Sequence, residues 1–419
     1  MQKTRTYVAY ALFGMPLAFF ALPLYVHLPR LYTEQIGLPL AGVGLVLLAA
    51  RLLDAVLDPW LGRWSDQGPA RKHLLLLSTP LLLLGWAILF LPPKTATLAW
   101  LATGLVIAYF GYSLAMINYQ AWGTEFPSHQ RGRLQASAWR EGAGLCGVLL
   151  AAVLPNVLSS DLRHGVAYLS WVFIPLLFFA TLLAICWVPQ GRHQHASSKH
   201  SNLPAQQAIW QVWRAPAFVR LVGVYAINGI AAAIPATLVL FFINDVLHAE
   251  SWSGVFLMLY FAAAAVALPL WVRLADSYGR VSTWLLAMAL ACASFAAVPW
   301  LGPGDVFAFA TICIASGVAL GADLVLPPAL LAEHVAEHGN AGGNFGWWTA
   351  VTKLNLAVAA GISLPLLSVL GYAPGTSGDG VRALAWLYGG LPLLLKLFAG
   401  VLLWRSRLYL QKLTQGVHA

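Results

Sequence analysis

Gly62-Arg63-Trp64-Ser65-Asp66-Gln67-Gly68, followed by Arg71-Lys72, is answered in the second half of the chain by Arg273-Leu274-Ala275-Asp276-Ser277-Tyr278-Gly279-Arg280. Asp66 and Asp276 lie 210 residues apart, and so do Pro59 and Pro269. In a chain of 419 residues that offset is half the length. One copy alone reads as a helix-end turn with solvated charges. Two copies at matched positions read as an internal repeat, each copy closing one apolar segment and opening the next.

The flanking sequence says what the segments are. Hydrophobic residues make up 60% of the chain and charged residues 9%, against roughly 25% charged in a soluble domain. Trp, Phe and Tyr number 18, 19 and 14, as suits a chain with rings at two membrane interfaces. Apolar stretches of about 20 residues, each able to cross a hydrocarbon core of about 30 Å, recur throughout. They run near 7–29, 38–63, 73–92, 96–124, 136–157, 166–189, 217–244, 251–273, 281–301, 305–332, 344–371 and 383–404. The expected fold class is an all-α membrane protein with twelve transmembrane helices in two six-helix bundles. Residues 1–189 form the first bundle, 190–215 a polar cytoplasmic linker and 216–419 the second. Met1 to Thr6 does not read as a cleavable signal, because the apolar run is too long and no small-residue cleavage site follows. His193 and His195 fall in the linker, whose composition reads as solvated loop rather than a metal site.

Orientation follows from the 24 Lys and Arg residues. With a cytoplasmic N-terminus, 17 fall at cytoplasmic ends and loops and 4 opposite them: Arg30, Lys94, Arg163 and Arg382. That asymmetry places both termini in the cytoplasm, and a bacterial inner membrane is the expected location. The net charge of +9 is therefore a topology signal. The basic residues are scattered over loops, so no nucleic-acid partner is expected.

Arg51, Lys353 and Lys396 remain inside spans. Charges there are the informative residues, since each costs about 2.5–3.5 kcal/mol or more at a helix centre. Span 2 reads Arg51-Leu52-Leu53-Asp54-Ala55-Val56-Leu57-Asp58-Pro59. Asp54 and Asp58 are four apart and share a helix face, and Arg51 reaches the same face. Two carboxylates this close in apolar surroundings need a proton or a cation between them. A structural ion-pair cluster bracing two helices would use the same residues. Adding 210 maps Arg51, Asp54 and Asp58 onto Phe261, Ala264 and Leu268. The scaffold is duplicated and the charges are not, so a coupling site belongs to the first bundle. Asp323 lies mid-span before Pro327-Pro328. Prolines free carbonyls where a helix lines a cavity, so Asp323 is a substrate contact or pairs with another span. Lys396 is expected to snorkel towards the cytoplasm. Glu333, His334, Glu337 and His338 end span 10 on the cytoplasmic side; they read as a solvated helix end, with a gate cluster or a pH-sensitive patch as the alternative.

The repeated loop resembles the signature between the second and third helices of each half of major facilitator transporters. Arg51-x-x-Asp54-x-x-x-Asp58-Pro59 resembles, more narrowly, the second helix of the glycoside–pentoside–hexuronide:cation symporters, the melibiose permease-like family. The likeness continues through Tyr112 to Trp122, Trp139-Arg140-Glu141, and Thr352-Lys353 with Gly371-Tyr372. It implies two bundles working by alternating access around a substrate path near mid-membrane. It implies Asp54 and Asp58 as cation ligands, with Arg51 beside them and Lys353 as the basic residue of the other bundle. Trp122, Trp348 and Thr349 fall on the implied substrate side, and Asn118 stands where the family has a sugar-binding acid. The gate at the cytoplasmic side is expected at Asp66, Arg71, Arg140, Glu141, Asp276 and Arg280. The family's other sugar-binding acid falls at Pro16, and its neutral cation-side oxygens fall at Leu57 and Ala115. Sodium needs several oxygen ligands and a proton needs one, so the coupling ion is expected to be H+, with Na+ as the alternative.

Gly142-Ala143-Gly144-Leu145-Cys146-Gly147 matches a dinucleotide pattern but has no strand before it. Small residues there allow close helix packing. Cys146, Cys186, Cys292 and Cys313 all fall within spans without metal-ligand spacing. No nucleophile–base motif or Walker lysine occurs, which argues against an enzyme or an ATP-driven pump. The expected function is cation-coupled symport of a small polar or amphipathic solute by a monomer without cofactor or metal. A lysophospholipid transporter or flippase of the same design is the alternative.

Overall fold

The computed structural model describes residues 2–67, 70–158, 162–190, 209–372 and 378–415. Every regular element among the described residues is a helix or a helical turn. Twelve long helices follow one another: α1 Gln2–Arg30, α2 Leu40–Gln67, α3 Arg71–Phe90, α4 Leu98–Glu125, α5 Gln130–Leu158 and α6 Leu162–Trp187, then α7 Pro216–Phe241, α8 Ser253–Tyr278, α9 Arg280–Ala296, α10 Val306–His338 and α11 Ala341–Val369. The last, α12, runs as Asp379–Ala385, a π turn Trp386–Gly390 and Leu391–Gln415. Among the described residues, eleven are long and apolar enough to cross a membrane. The other, α5, has 29 residues and carries Arg131, Arg133, Arg140 and Glu141 in its first half, with an apolar second half. His193 and His195 lie outside the described residues.

Local chemistry sets the helix ends. Thr97 caps α4 by accepting from the Trp100 amide at 3.3 Å, satisfying one of the orphan donors of the first turn. Gly279 sits at φ +81° between α8 and α9, a conformation that glycine adopts without a Cβ penalty. The repeat extends to fine structure: α1 ends in a π turn at Leu31–Gln35 and α7 in one at Phe242–Val246.

The chain divides into two compact units. One comprises Met1–Val212 with Val335–Ala350, the other Trp213–His334 with Val351–Ala419. The first is filled by rings: Trp86 stacks on Phe173 at 4.3 Å, Phe20 lies 5.5 Å from Phe173, and the Trp86 indole donates to Ser170 Oγ at 2.8 Å. Tyr10 and Tyr119 tie α1 to α4 reciprocally, each hydroxyl donating to the other's backbone carbonyl at 2.9 Å. In the second unit Phe242 stacks on Tyr388 at 4.3 Å, and Phe256 meets Phe309 edge-on at 4.8 Å. Large apolar side chains also cover the outside, as a lipid-facing surface requires. On α2, Leu52, Leu53, Val56, Trp60 and Trp64 point outward while Asp54, Ala55, Asp58, Leu61 and Ser65 are buried.

Candidate functional site

The buried face of α2 carries the acids. Asp54 is 5% exposed and Asp58 fully buried, one turn apart, and Arg51 one turn earlier is half-buried. Their supporting helix is α4, whose Ser113 hydroxyl donates to Asp54 Oδ1 at 2.6 Å. Asp58 lies where α2 meets the start of α11: a Cβ on Gly346 would stand 2.6 Å from the Asp58 carbonyl oxygen. Only glycine admits two helix backbones this close. The structure therefore puts two carboxylates and a hydroxyl inside a membrane helix pair. That arrangement can hold a proton or a small cation.

Two turns further along, the same face enters a denser network. Arg71, at the first position of α3, pairs with Asp66 Oδ1 at 2.8 Å and with Glu125 Oε1 at 2.9 Å. It also donates to the Ser65 backbone carbonyl at 2.8 Å and to the Ser65 hydroxyl. Ser65 Oγ in turn donates to Asn118 Oδ1 at 2.5 Å. Asp66 reaches beyond α2 and α3: its Oδ1 accepts from the Gly342 amide at 2.7 Å and its Oδ2 from the Gly343 amide at 2.8 Å. These amides are among the free donors of the first turn of α11, where the helix dipole also favours a negative charge. Asp66 thus caps a helix 276 positions away in sequence. On α5, Arg140 binds its neighbour Glu141 through Nε at 2.9 Å and a terminal nitrogen at 2.7 Å.

The second unit repeats part of this plan. Arg280 opens α9 as Arg71 opens α3, and it pairs with Glu333 near the end of α10 as Arg71 pairs with Glu125 near the end of α4. Glu333 and His334 are each only 2% exposed. This corrects the expectation of a solvated helix end: the last turns of α10 carry charge into the bundle, and only Glu337 and His338 are about half exposed. Asp276 is exposed. Lys396 is likewise corrected. Its side chain does not snorkel; it is buried and binds Asp323 Oδ2 at 2.7 Å, while the Trp284 indole donates to Asp323 Oδ1 at 2.8 Å. A carboxylate within hydrogen-bond reach offers the ammonium more than a lipid headgroup beyond the length of its stem.

The other sequence candidates are distributed. Asn118 joins the Ser65–Arg71 network and donates to the Leu114 carbonyl at 2.7 Å. Trp122 is fully buried, its indole donating to the Pro189 carbonyl at 3.0 Å. Trp348 and Thr349 are buried on α11 within the first unit, and Thr349 Oγ1 has no hydrogen-bond partner among the described residues. Lys353, one turn on, is 8% exposed and belongs to the second unit. Of the four cysteines, Cys292 and Cys313 are buried, whereas Cys146 and Cys186 are exposed, and all are free thiols. Among the described residues no three His, Cys, Asp or Glu side chains converge as for a metal. Sequence reasoning missed Ser113, Ser65 and Glu125. Glu125 had a signal: Arg71 to Glu125 and Arg280 to Glu333 are nearly equal separations in the two halves.

Residues 6–409 match the sequence profile of a family described as MFS/sugar transport protein. A Salmonella typhimurium protein named provisionally as a 2,3-dihydroxypropane-1-sulfonate exporter is 24% identical over 396 residues, covering 87% of this chain and 84% of its own. Another from the same organism, named provisionally as a sulfoquinovose importer, is 25% identical over 400 residues, covering 87% and 81%. The crystal structure of the E. coli fucose:proton symporter superposes with a TM-score of 0.72 at 11% identity, covering 94% of this chain and 98% of that one. At that identity the likeness concerns the fold.

Proposed function

The chain belongs to the MFS/sugar transport protein family, membrane transporters of the major facilitator fold and not enzymes, and from that premise we propose that it is a proton-coupled symporter of a small, oxygen-rich polar solute. The observation that carries the proposal is the pair Asp54 and Asp58, buried on one face of a membrane-spanning helix. Two ionised carboxylates one turn apart are unfavourable there, and a proton shared with the cluster removes the repulsion. The Ser113 hydroxyl donates to Asp54 Oδ1 at 2.6 Å, spending its proton on the carboxylate. Leu57 and Ala115 carry no side-chain oxygen, so these two positions contribute nothing to the several oxygen ligands that a sodium ion needs, whereas a proton needs one. Proton loading therefore fits this site better than sodium.

The relatives named for a sulfonated sugar and a dihydroxylated sulfonate support a compact polar solute. They do not favour the lysophospholipid alternative. The distribution of Lys and Arg supports cytoplasmic termini, and the bacterial relatives support the inner membrane. The test is uptake into proteoliposomes of labelled sulfoquinovose, 2,3-dihydroxypropane-1-sulfonate and a lysophospholipid. Each is measured under an imposed pH gradient, with sodium replaced by choline at fixed pH. We expect accumulation of a polar solute that follows the pH gradient and ignores sodium. Uptake that needs millimolar sodium and survives collapse of the pH gradient would overturn the assignment of the ion. Uptake of the lysolipid alone would overturn the solute class.

A further inference from the structure

A partly open cavity of about 170 Å³ lies within the second unit among α7, α8, α9, α10 and α12. An apolar cavity of about 150 Å³ is large enough to take up benzene, so this one has room for a single ring and a small substituent. Phe256, Leu257, Phe261, Phe295 and Leu320 make most of its wall apolar.

One side of the cavity is polar, and its donors are not all used. Each Asp323 oxygen already accepts a bond, from Trp284 and from Lys396. Lys396 carries three N–H donors and gives one to Asp323; no second acceptor among the described residues lies within hydrogen-bond reach. Tyr260 lines the same cavity, and its hydroxyl makes no hydrogen bond within the described residues. Lys396 is buried and Tyr260 partly so, and donors left without acceptors away from water are costly in a membrane bundle. Ser316, also on the wall, turns its proton back to the Ile312 carbonyl at 2.6 Å and leaves its oxygen as an acceptor.

We propose that this cavity is a ligand site in its own right, taking a compact neutral amphiphile: a single ring or its equivalent in apolar atoms, with one hydrogen-bond-accepting head. The head accepts from Lys396 and Tyr260, and the ring lies among Phe256, Phe261 and Phe295. The ligand is neutral because Asp323 already balances Lys396. A carboxylate would leave the cluster with net negative charge inside the bilayer. The site lies wholly within the second unit and is independent of the coupling ion read at Asp54 and Asp58.

Benzamide has the required shape, toluene lacks the head, and benzoate replaces the neutral head with a charge. Binding of the three to the full-length, detergent-purified protein is measured by saturation-transfer NMR and calorimetric titration. Benzamide should bind saturably and at least tenfold more tightly than toluene or benzoate. Ala232→Phe, which places a ring in the cavity, should abolish binding. The double variant Asp323→Asn/Lys396→Met removes both charges together and should reduce benzamide to the level of toluene. Thermal unfolding reports whether each variant is folded. The proposal is overturned by absence of saturable benzamide binding to the wild type, by toluene binding as tightly, or by undiminished binding to either folded variant.

Discussion

Gly62→Ala probes a close backbone contact between α2 and the start of α11. A Cβ at Gly62 would stand 2.1 Å from the Gly342 carbonyl oxygen and 2.8 Å from its carbon. Both atoms are backbone, so no rotamer change relieves the clash. Reaching even 3.0 Å requires α2 and the first turn of α11 to part by about 0.9 Å. A displacement of that size lengthens the bonds from Asp66 to the Gly342 and Gly343 amides, now 2.7 and 2.8 Å, out of hydrogen-bond range. Overpacking of this kind costs about 1–3 kcal/mol, and a carboxylate lost from a helix N-terminus removes up to ~2 kcal/mol more. A combined penalty of about 3 kcal/mol is a roughly 150-fold shift in the docked population. Hydrogen exchange of the protein in nanodiscs reads this directly, because amide protection reports local opening. The amides at the start of α11 should exchange roughly 100-fold faster in Gly62→Ala. Asp66→Asn, which keeps an acceptor and loses the charge, should speed them by about tenfold, in line with ~1–2 kcal/mol for a charge at a helix end. Unchanged exchange at Gly342 and Gly343 in a folded Gly62→Ala protein would show that the two backbones do not meet in the membrane, and the capping argument would fall.

Three further outcomes are expected. Asp58→Asn should abolish accumulation against a gradient while the protein still inserts and unfolds at its normal temperature; wild-type accumulation ratios in proteoliposomes would remove the coupling role. Lys396→Met leaves the Asp323 carboxylate buried beside Trp284 and should destabilise the second unit by about 3–5 kcal/mol, with Asp323→Asn/Lys396→Met recovering most of it; thermal unfolding showing the double variant no better than the single would contradict the pairing. Tyr372, just beyond α11, has its hydroxyl pushed above the usual tyrosine range, first by burial and then by donation to the Asp245 carboxylate. Its folded value is raised, so its stabilising contribution is fully present below about pH 10, the unfolded tyrosine value, and is lost as pH rises through the higher folded value. Tyr372→Phe should therefore lower stability by a constant amount at neutral pH and flatten the alkaline limb of the profile, which chemical denaturation across about pH 7–11 would check.

The parts of the site that were legible in the sequence are those that membrane solvation makes expensive. Asp54, Asp58, Lys353, Asp323 and Lys396 stand out because a charge in a long apolar run has no cheap explanation. Partner choice was much less legible. The sequence favoured a headgroup for Lys396, and Asp323 won because α10 and α12 set it 2.7 Å away. Ser113 and Ser65 gave no signal, since a serine in a membrane helix usually bonds its own backbone. Glu333 and His334 misled because a charged stretch at a helix end looks solvated, whereas here the helix continues into the bundle with Arg280 against it.

By itself, the sequence determined an all-helical membrane protein, its two-fold repeat, and the helices that carry charge. Each of these follows from local composition against a uniform apolar solvent. Only the tertiary structure decided that Asp66 caps α11, that Arg71 serves Asp66 and Glu125 together, and that the second unit keeps a cavity beside Asp323 and Lys396. Those outcomes depend on which residues meet across helices tens to hundreds of positions apart. Close approach at glycines such as Gly62, Gly342 and Gly346 brings the groups together, and short-range hydrogen bonding then selects among the possible partners.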